Sequence, residues 1–121
     1  MAWDNATARQ LADAEEVVVA VPAPGRPEVR TPIWVVAVDG DLYVRSWKGE
    51  NGLWYRRARR HGTGSVVADG QEHEVRFTAA GEPDVNARID QAYQRKYGTS
   101  PYTEAMIRPP ATSTTMRLDP A

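Results

Sequence analysis

Two Asp-Gly dipeptides constrain the fold of this 121-residue chain more than any other feature of its sequence. Asp39-Gly40 follows the apolar segment 31–38, and Asp69-Gly70 joins the β-prone segments 65–68 and 71–77. Asp-Gly is typical of the two-residue turns between antiparallel strands, because these turns need a positive φ that glycine and aspartate tolerate. The sequence therefore predicts two β-hairpins and a mainly antiparallel sheet.

The remaining elements follow from side-chain periodicity and from residues that begin or end helices. Asp4 is a suitable N-cap for a helix over 4–16, whereas Pro83 and Gly98 bracket a helix over 84–97. We also expect strands over 16–21, 31–38 and 42–47, a short helix near 53–61 with Asn51 as a candidate cap and Gly62 as its stop, and a closing strand over 114–118.

These elements predict an α+β protein. Six strands in so short a chain leave exposed edges unless the sheet curls on itself. We therefore expect a six-stranded, mostly antiparallel split β-barrel with flanking helices, formed as a single domain by residues 1–121.

Composition excludes several classes of function. The chain has no cysteine, so disulfide scaffolds, thiolate metal sites and cysteine catalysis are excluded, and its two histidines, His61 and His73, lack the spacing of a metal site. No segment has the apolar length of a membrane helix, and the start lacks a signal peptide. A net charge of −1 gives no reason to expect nucleic acid or membrane partners, and the expected location is the cytoplasm.

Basic and aromatic residues are concentrated between Tyr43 and His61. A strand end and a glycine-containing loop lead there to a helix start, whose free N–H groups attract anions. Four cations of this segment could contact a phosphate and three aromatic residues could cover a planar ring. The candidate ligand-binding residues are Arg45, Lys48, Arg56 and Arg57 for the charge, and Trp47, Trp54 and Tyr55 for the ring.

A purely structural interpretation of these residues stays open. Basic residues on a short helix usually form its solvated face, and Trp54, Tyr55 and Ala58 have the spacing of a core-facing stripe. Trp34 suits either the core or the mouth of the barrel. Together with Tyr43 it is a candidate for binding a substrate in an apolar cavity. No catalytic residue is apparent.

Six sequence segments, in order along nearly the whole chain, resemble an uncharacterised bacterial family known as a domain of unknown function. That family is similar to split barrels that bind FMN or deazaflavin, namely the pyridoxamine-phosphate-oxidase-like proteins and, more distantly, the deazaflavin-dependent nitroreductases. The segments are Thr31–Val36, Asp41–Ser46, Trp54-Tyr55, Glu72–Phe77, Asn86–Tyr97 and Ala111–Leu118.

The resemblance implies a site, a cofactor and an activity. In the nitroreductases a Ser-Lys-Gly type loop and a Trp-Tyr helix start hold the cofactor phosphate, and Ser46–Gly49 and Trp54-Tyr55 are the matching positions here. The implied protein binds FMN or deazaflavin and acts as an oxidoreductase on a small molecule. It is also expected to be a homodimer, with the cofactor at the subunit interface.

One departure from the nitroreductases supports an alternative. Arg56-Arg57 stands where those enzymes commonly have a histidine-asparagine pair. The alternative is a barrel that binds a small molecule without a cofactor, as an isomerase or cyclase of a biosynthetic pathway. The five aromatic residues Trp34, Tyr43, Trp47, Trp54 and Tyr55 would then line an apolar cavity.

Overall fold

A computed structural model describes residues 3–121. These residues form an α+β protein in which groups of strands, seven in all, alternate with four α-helices. The strands are β1 (Val17–Ala23), β2 (Arg26–Ile33), β3 (Val36–Val38), β4 (Asp41–Val44), β5 (Thr63–Ala68), β6 (Gln71–Ala79) and β7 (Met116–Pro120). The helices are α1 (Asn5–Asp13), α2 (Leu53–His61), α3 (Pro83–Tyr97) and α4 (Thr103–Met106), with short 3₁₀ turns at Gly49–Asn51 and Ala111–Thr114.

All seven strands belong to one sheet, in the order β2-β1-β5-β6-β7-β4-β3, and every neighbouring pair is antiparallel. Both predicted hairpin turns are confirmed. Asp39 and Asp69 have φ values of 51°, and the glycine after each also has a positive φ. The two Asp-Gly pairs therefore supply the backbone conformation that these tight turns require.

The single strand predicted over 31–38 is wrong, and this error accounts for the seventh strand. The chain leaves β2 after Ile33 and enters β3 at Val36, on the opposite edge of the sheet. Two residues span at most about 11 Å from Ile33 to Val36. The two edges must therefore approach each other at this point, which curls the open sheet into the predicted split barrel.

The edge strand β2 contains two prolines, Pro27 and Pro32. Proline lacks the N–H that a further strand would need, so it discourages pairing with another chain at this edge. The strand predicted over 16–21 is longer than expected. It continues past Pro22 to Ala23, with a shift of register between Val21 and Ala23.

The helices differ from expectation mainly at their ends. The Asp4 carboxylate accepts the predicted capping bond from Thr7 N (2.9 Å), but α1 stops at Asp13, three residues early, because Ala14 is extended. Helix α2 has the predicted bounds, and the predicted stop, Gly62, caps its C-terminal end with a φ of 77°. Its N-cap is Gly52 and not Asn51.

Two groups of buried side chains lie on opposite faces of the curled sheet. The inner core fills the barrel and is mostly aliphatic, with Val19, Leu42, Val44 and Val66 among its members. The outer layer, in which α3 packs on β3 and β4, is rich in aromatic residues: Tyr43, Tyr93 and Tyr97, with Trp34 against them. The alternation of β4 places Leu42 and Val44 in the inner core and Tyr43 in the outer layer.

The predicted closing strand begins two residues late, at Met116, because residues 111–114 form a 3₁₀ turn. It then runs to Pro120 between β6 and β4. Within residues 3–121, no helix is both long and apolar enough to cross a bilayer.

Candidate ligand-binding cleft

A cleft of about 580 Å³ opens beside the edge strand β2. Its walls come from the outer part of β2, the loop that follows β4, the start of α2 and the segment at α4. The lining residues are Glu16, Val29, Thr31, Pro32, Ile33, Trp34, Arg45, Ser46, Trp47, Lys48, Gly52, Leu53, Trp54, Tyr102 and Met106. This volume is within the range of pockets that hold cofactors and small ligands.

The cleft contains six of the eleven residues that the sequence singled out for binding. These are Trp34, Arg45, Ser46, Trp47, Lys48 and Trp54. The other five do not line it: Tyr43, Gly49, Tyr55, Arg56 and Arg57. Much of the predicted segment therefore converges on one place, although its α2 arginines do not take part.

The sequence suggested that Arg45 contacts a ligand phosphate. In the structure its partners are groups of the protein itself. Its side chain is 0% exposed, and all five of its N–H donors are engaged within the protein. Nε donates to Thr115 Oγ1 (2.9 Å), and Nη1 donates to Asp90 Oδ1 (2.5 Å) and the Met106 carbonyl (3.0 Å). Nη2 donates to the backbone and side-chain oxygens of Asn86 (3.3 and 3.1 Å). No donor of Arg45 remains for a ligand.

This network fixes one wall of the cleft. The guanidinium lies 5.4 Å from the centre of the Tyr93 ring, a favourable cation–π distance. Through its bonds, Arg45 joins the end of β4 to α3, to the end of α4 and to Thr115, the residue before β7. The next residues along the chain, Ser46 and Trp47, therefore leave the sheet from a firmly held point.

Two close contacts explain the glycines of the loop after β4. A Cβ on Gly49, whose φ is 65°, would lie 2.6 Å from Pro110 Cβ. A Cβ on Gly52 would overlap the hydroxyl oxygen of Ser46. Ser46 is itself held by a bond from its backbone N to Thr114 Oγ1 (2.8 Å). Glycine at these positions lets the loop fold tightly against the C-terminal segment.

The start of α2 lies open to the cleft. Its N-cap is a glycine, and no side chain caps the helix. The first helical bond there joins Arg56 N to the Gly52 carbonyl (3.0 Å), which leaves the three N–H groups between these two residues without helical partners. Gly52 and Leu53 line the cleft together with Lys48. The positive end of the helix dipole and the ammonium group of Lys48 therefore both lie at this end of the cleft, which we call the Lys48 end.

Trp54 and Tyr55 have structural positions. Both side chains are buried in the inner core, at 5% and 4% exposure, although part of Trp54 reaches the cleft. The structural interpretation of these two residues is thus correct for most of their surface. Trp54 forms part of the floor of the cleft.

The arginines of α2 lie along a different face of the helix. Arg57 Nη1 donates to the carbonyls of Pro27 (2.9 Å) and Val21 (3.5 Å), so it ties α2 to the β1–β2 hairpin. Arg59 lies 3.6 Å from the carboxylate of Glu50. Arg56 is exposed. Basic residues of this helix therefore stabilise the fold or face solvent.

Large hydrophobic side chains in the walls of the cleft are exposed to solvent. Trp47, Leu53 and Tyr102 are the large hydrophobic side chains that remain exposed among residues 3–121, at 55%, 46% and 59%. All three line this cleft, and the rings of Trp47 and Tyr102 meet edge to face at 6.2 Å. Grouped exposed apolar surface marks a place where a ligand or partner binds.

The far end of the cleft, the Glu16 end, rests on the outer layer. Trp34 stacks on Tyr97 with ring centres 3.9 Å apart. Burial, chiefly, raises the pKa of Tyr97 to about 12, and its hydroxyl donates to the Glu15 carbonyl (2.6 Å). Lys96 donates to the carbonyls of Ala12 and Val35, both at 2.7 Å, and burial lowers its pKa to about 8.

Tyr43 faces the outer layer and is only 6% exposed. Burial, helped by the nearby Asp41 carboxylate, raises the pKa of its hydroxyl. It packs away from the cleft, so the structure does not bring it together with Trp34 as a second aromatic wall.

Sequence reasoning missed several lining residues, above all Glu16, Leu53, Tyr102 and Met106. Leu53 had a visible signal, because an exposed leucine at the start of a basic helix has no local reason to be apolar. Tyr102 and Met106 lie in a proline-containing segment whose position depends on tertiary packing. Within residues 3–121, no group of three or more histidine, aspartate or glutamate side chains is arranged to hold a metal ion.

Solved structures with the same fold show what this chain resembles. A conserved hypothetical protein from Mycobacterium tuberculosis, Rv2991, has a TM-score of 0.69 at 14% identity, covering 98% of this chain and 79% of that one. A FAD-binding protein from Mesorhizobium loti has a TM-score of 0.63 at 14% identity, covering 98% and 91%. An F420 reductase has a TM-score of 0.55 at 15% identity, covering 93% and 91%. At such identities these likenesses establish the split-barrel fold.

Among proteins with curated descriptions, none matches the sequence of this chain. A family-level comparison is more informative. Residues 7–118 match the sequence profile of DUF2255, described as an uncharacterized protein conserved in bacteria. Because the match spans nearly all of the sequence, the chain belongs to the DUF2255 family.

Proposed function

We propose that the cleft binds a flavin-type cofactor, FMN or a deazaflavin, and that the protein is an oxidoreductase acting on a small molecule. The observation that carries the proposal is the grouping of Trp47, Leu53 and Tyr102, all exposed, around the uncapped start of α2. An apolar ring system would cover these side chains, and a phosphate would meet the helix start. The fold shared with a FAD-binding protein and an F420 reductase adds support.

The residues present fit such a group. Lys48 and the first N–H groups of α2 form the anion-binding part, while Trp47, Leu53 and Tyr102 supply flat or apolar surface for the ring. When bound, a flavin-type ring supplies hydride transfer, chemistry that side chains alone cannot perform. Arg45 contributes indirectly, because its five bonds hold the wall from which Ser46 and Trp47 project.

The role of the protein in this proposal is binding, orientation and exclusion of water. The apolar walls lower the local dielectric, so that a contact between Lys48 and a phosphate is stronger than in bulk water. The helix start needs no side-chain rearrangement to present its N–H groups. A ligand phosphate could therefore be fixed at the Lys48 end while the rest of the cleft stays free for the ring and the substrate.

Titration of the purified protein with FMN and with F420 tests the proposal directly. Ligand fluorescence and calorimetry measure the dissociation constants. Lys48→Ala should weaken binding by about tenfold or more, because a charge-assisted hydrogen bond contributes about 1.5–3 kcal/mol. The matched control is Arg60→Ala, which removes an exposed cation of α2 that does not line the cleft. The Arg60→Ala variant should bind FMN and F420 with the same dissociation constants as the unmodified protein.

Two results would contradict the proposal. One is the failure of both FMN and F420 to bind saturably. The other is turnover of a substrate by cofactor-stripped protein at a rate that added flavin or deazaflavin does not change. The second result would favour the alternative, a cofactor-free isomerase or cyclase.

The resemblance to flavin-dependent split barrels also implies a cytoplasmic homodimer, and we include both in the proposal. A dimer interface that reaches the cleft would cover exposed apolar side chains such as Trp47 and Tyr102. Sedimentation velocity of the purified protein, compared with a Trp47→Ser variant, measures the oligomeric state. A monomer at all concentrations would contradict this part of the proposal.

A further inference from the structure

Two side chains of opposite charge line the cleft without any ion-pair partner in the part of the chain that the structure describes. They are Lys48 and Glu16. The third charged lining residue, Arg45, is fully engaged inside the protein. Lys48 and Glu16 do not form an ion pair with each other in the described part of the chain, so neither charge neutralises the other. The cleft is therefore open to two complementary ligand charges.

An aromatic ring accompanies the carboxylate of Glu16. Val17 pairs with Ile33 at the end of the β1–β2 ladder, and Glu16 and Trp34 are the residues that come directly beyond this last pair. Both line the cleft. A carboxylate beside an indole ring provides an ion pair and a cation–π surface together, which is the combination that recognises organic cations.

The protein's own cation near this end is already committed. Lys96 donates to the carbonyls of Ala12 and Val35 and does not line the cleft. The charges of Glu15 and Glu16 add to the burial that raises the pKa of Tyr97, the residue on which Trp34 stacks. Two carboxylates therefore lie near the ring on which Trp34 stacks, together with the Lys96 ammonium, which is 5.1 Å from the centre of that ring.

We propose that the Glu16 end of the cleft binds a small organic cation with an apolar body, such as a protonated primary amine. This inference rests on the proposed function in one respect: the anionic part of the cofactor occupies the Lys48 end, which leaves Glu16 and Trp34 for the substrate. It adds a substrate class to the proposed oxidoreductase.

Phenethylamine and 2-phenylethanol form a suitable pair of probes, because they share an apolar body and differ in an ammonium against a hydroxyl group. In calorimetry near neutral pH, the protein should bind the amine about fivefold more tightly than the alcohol, as for a solvent-exposed ion pair. Glu16→Gln should abolish this preference by weakening the amine and should leave the alcohol unchanged. Glu15→Gln is the matched control, since this neighbouring carboxylate is exposed and does not line the cleft.

A crossed comparison separates this inference from the proposed function. Glu16→Gln should weaken phenethylamine and not FMN, whereas Lys48→Ala should weaken FMN and not phenethylamine. The inference is overturned if the unmodified protein shows no preference for the amine, if the preference survives Glu16→Gln, or if Glu15→Gln removes it equally. If the preference depends on Glu16 but neither FMN nor F420 binds, the cation site stands and the proposed cofactor fails.

Discussion

The inner core and the outer layer are both well buried, yet they are held together in different ways. The inner core joins aliphatic side chains such as Leu42 and Val44 through contacts that have no preferred direction. The outer layer holds the guanidinium of Arg45 against the Tyr93 ring and against acceptors at fixed positions. Shape and volume therefore decide the stability of the first region, and directional bonds decide that of the second, which borders the cleft.

The largest effect is expected from Arg45→Met. The substitution leaves the Met106 carbonyl without its side-chain donor and the Asp90 carboxylate without its cation, and it removes one of the donors to the Asn86 side-chain oxygen. Removing this fully buried cation costs about 4 kcal/mol in the free energy of unfolding, measured by urea denaturation. Arg56→Met, at an exposed position, is the control and should change it by less than about 0.5 kcal/mol.

In the inner core, Leu42→Ala should cost about 3 kcal/mol, because it removes buried methyl groups and leaves a cavity. Conservative exchanges sharpen the comparison. Leu42→Met should cost less than about 1.5 kcal/mol, since volume is nearly kept. Arg45→Lys should cost about 3 kcal/mol, because a lysine keeps the charge but cannot replace the five bonds. Equal costs for these two conservative variants would show that the two regions do not differ as described.

A smaller effect is expected from Tyr97→Phe, about 1 kcal/mol, through loss of the bond to the Glu15 carbonyl. Its pH dependence is diagnostic. Because the pKa of Tyr97 in the folded state, about 12, lies above its ordinary value of 10, the neutral hydroxyl contributes its full stability below pH 10. This contribution is lost as the pH rises from 10 through 12. The phenylalanine variant should lack that part of the alkaline decline. Parallel denaturation curves of both proteins at alkaline pH would contradict the assignment.

The smallest effect in the series is expected from Tyr93→Phe. The Tyr93 hydroxyl is buried and has no hydrogen-bond partner among residues 3–121, so its removal sacrifices no bond. The variant should be as stable as the unmodified protein, or more stable by up to about 1 kcal/mol. A loss above 1 kcal/mol in urea denaturation would mean that the hydroxyl is satisfied by a bound water and that the outer layer is more polar than its side chains indicate.

Local patterns in the sequence predicted most of the fold. The Asp-Gly turns, the bounds of α2 and the helix over 84–97 depend on neighbouring residues, and the structure has all of them within a residue or so. The break at Trp34-Val35 was missed because both residues favour a strand, and nothing local marks the passage from one edge of the sheet to the other. That passage depends on the curl of the whole sheet.

The same distinction holds for the cleft. Trp47 and Lys48 were found because they lie in a local strand-loop-helix segment. Arg45 was expected to face a ligand, since its charge alone does not reveal that α3 covers its side of β4 and supplies Asn86 and Asp90. Tyr102 was missed because only tertiary packing brings it to Trp47.

The position of β7 in the sheet has a consequence for how the protein is made. Strands β2, β1, β5 and β6 form one continuous group and β4 with β3 forms another, and β7 is the strand that pairs with both. During synthesis, the edges of β4 and β6 must remain unpaired until residues 116–120 have left the ribosome. Pairing over such long sequence separations is slow, so the nascent chain exposes two strand edges until β7 can pair with them. Its demand for chaperone protection should therefore be greatest just before Met116 emerges.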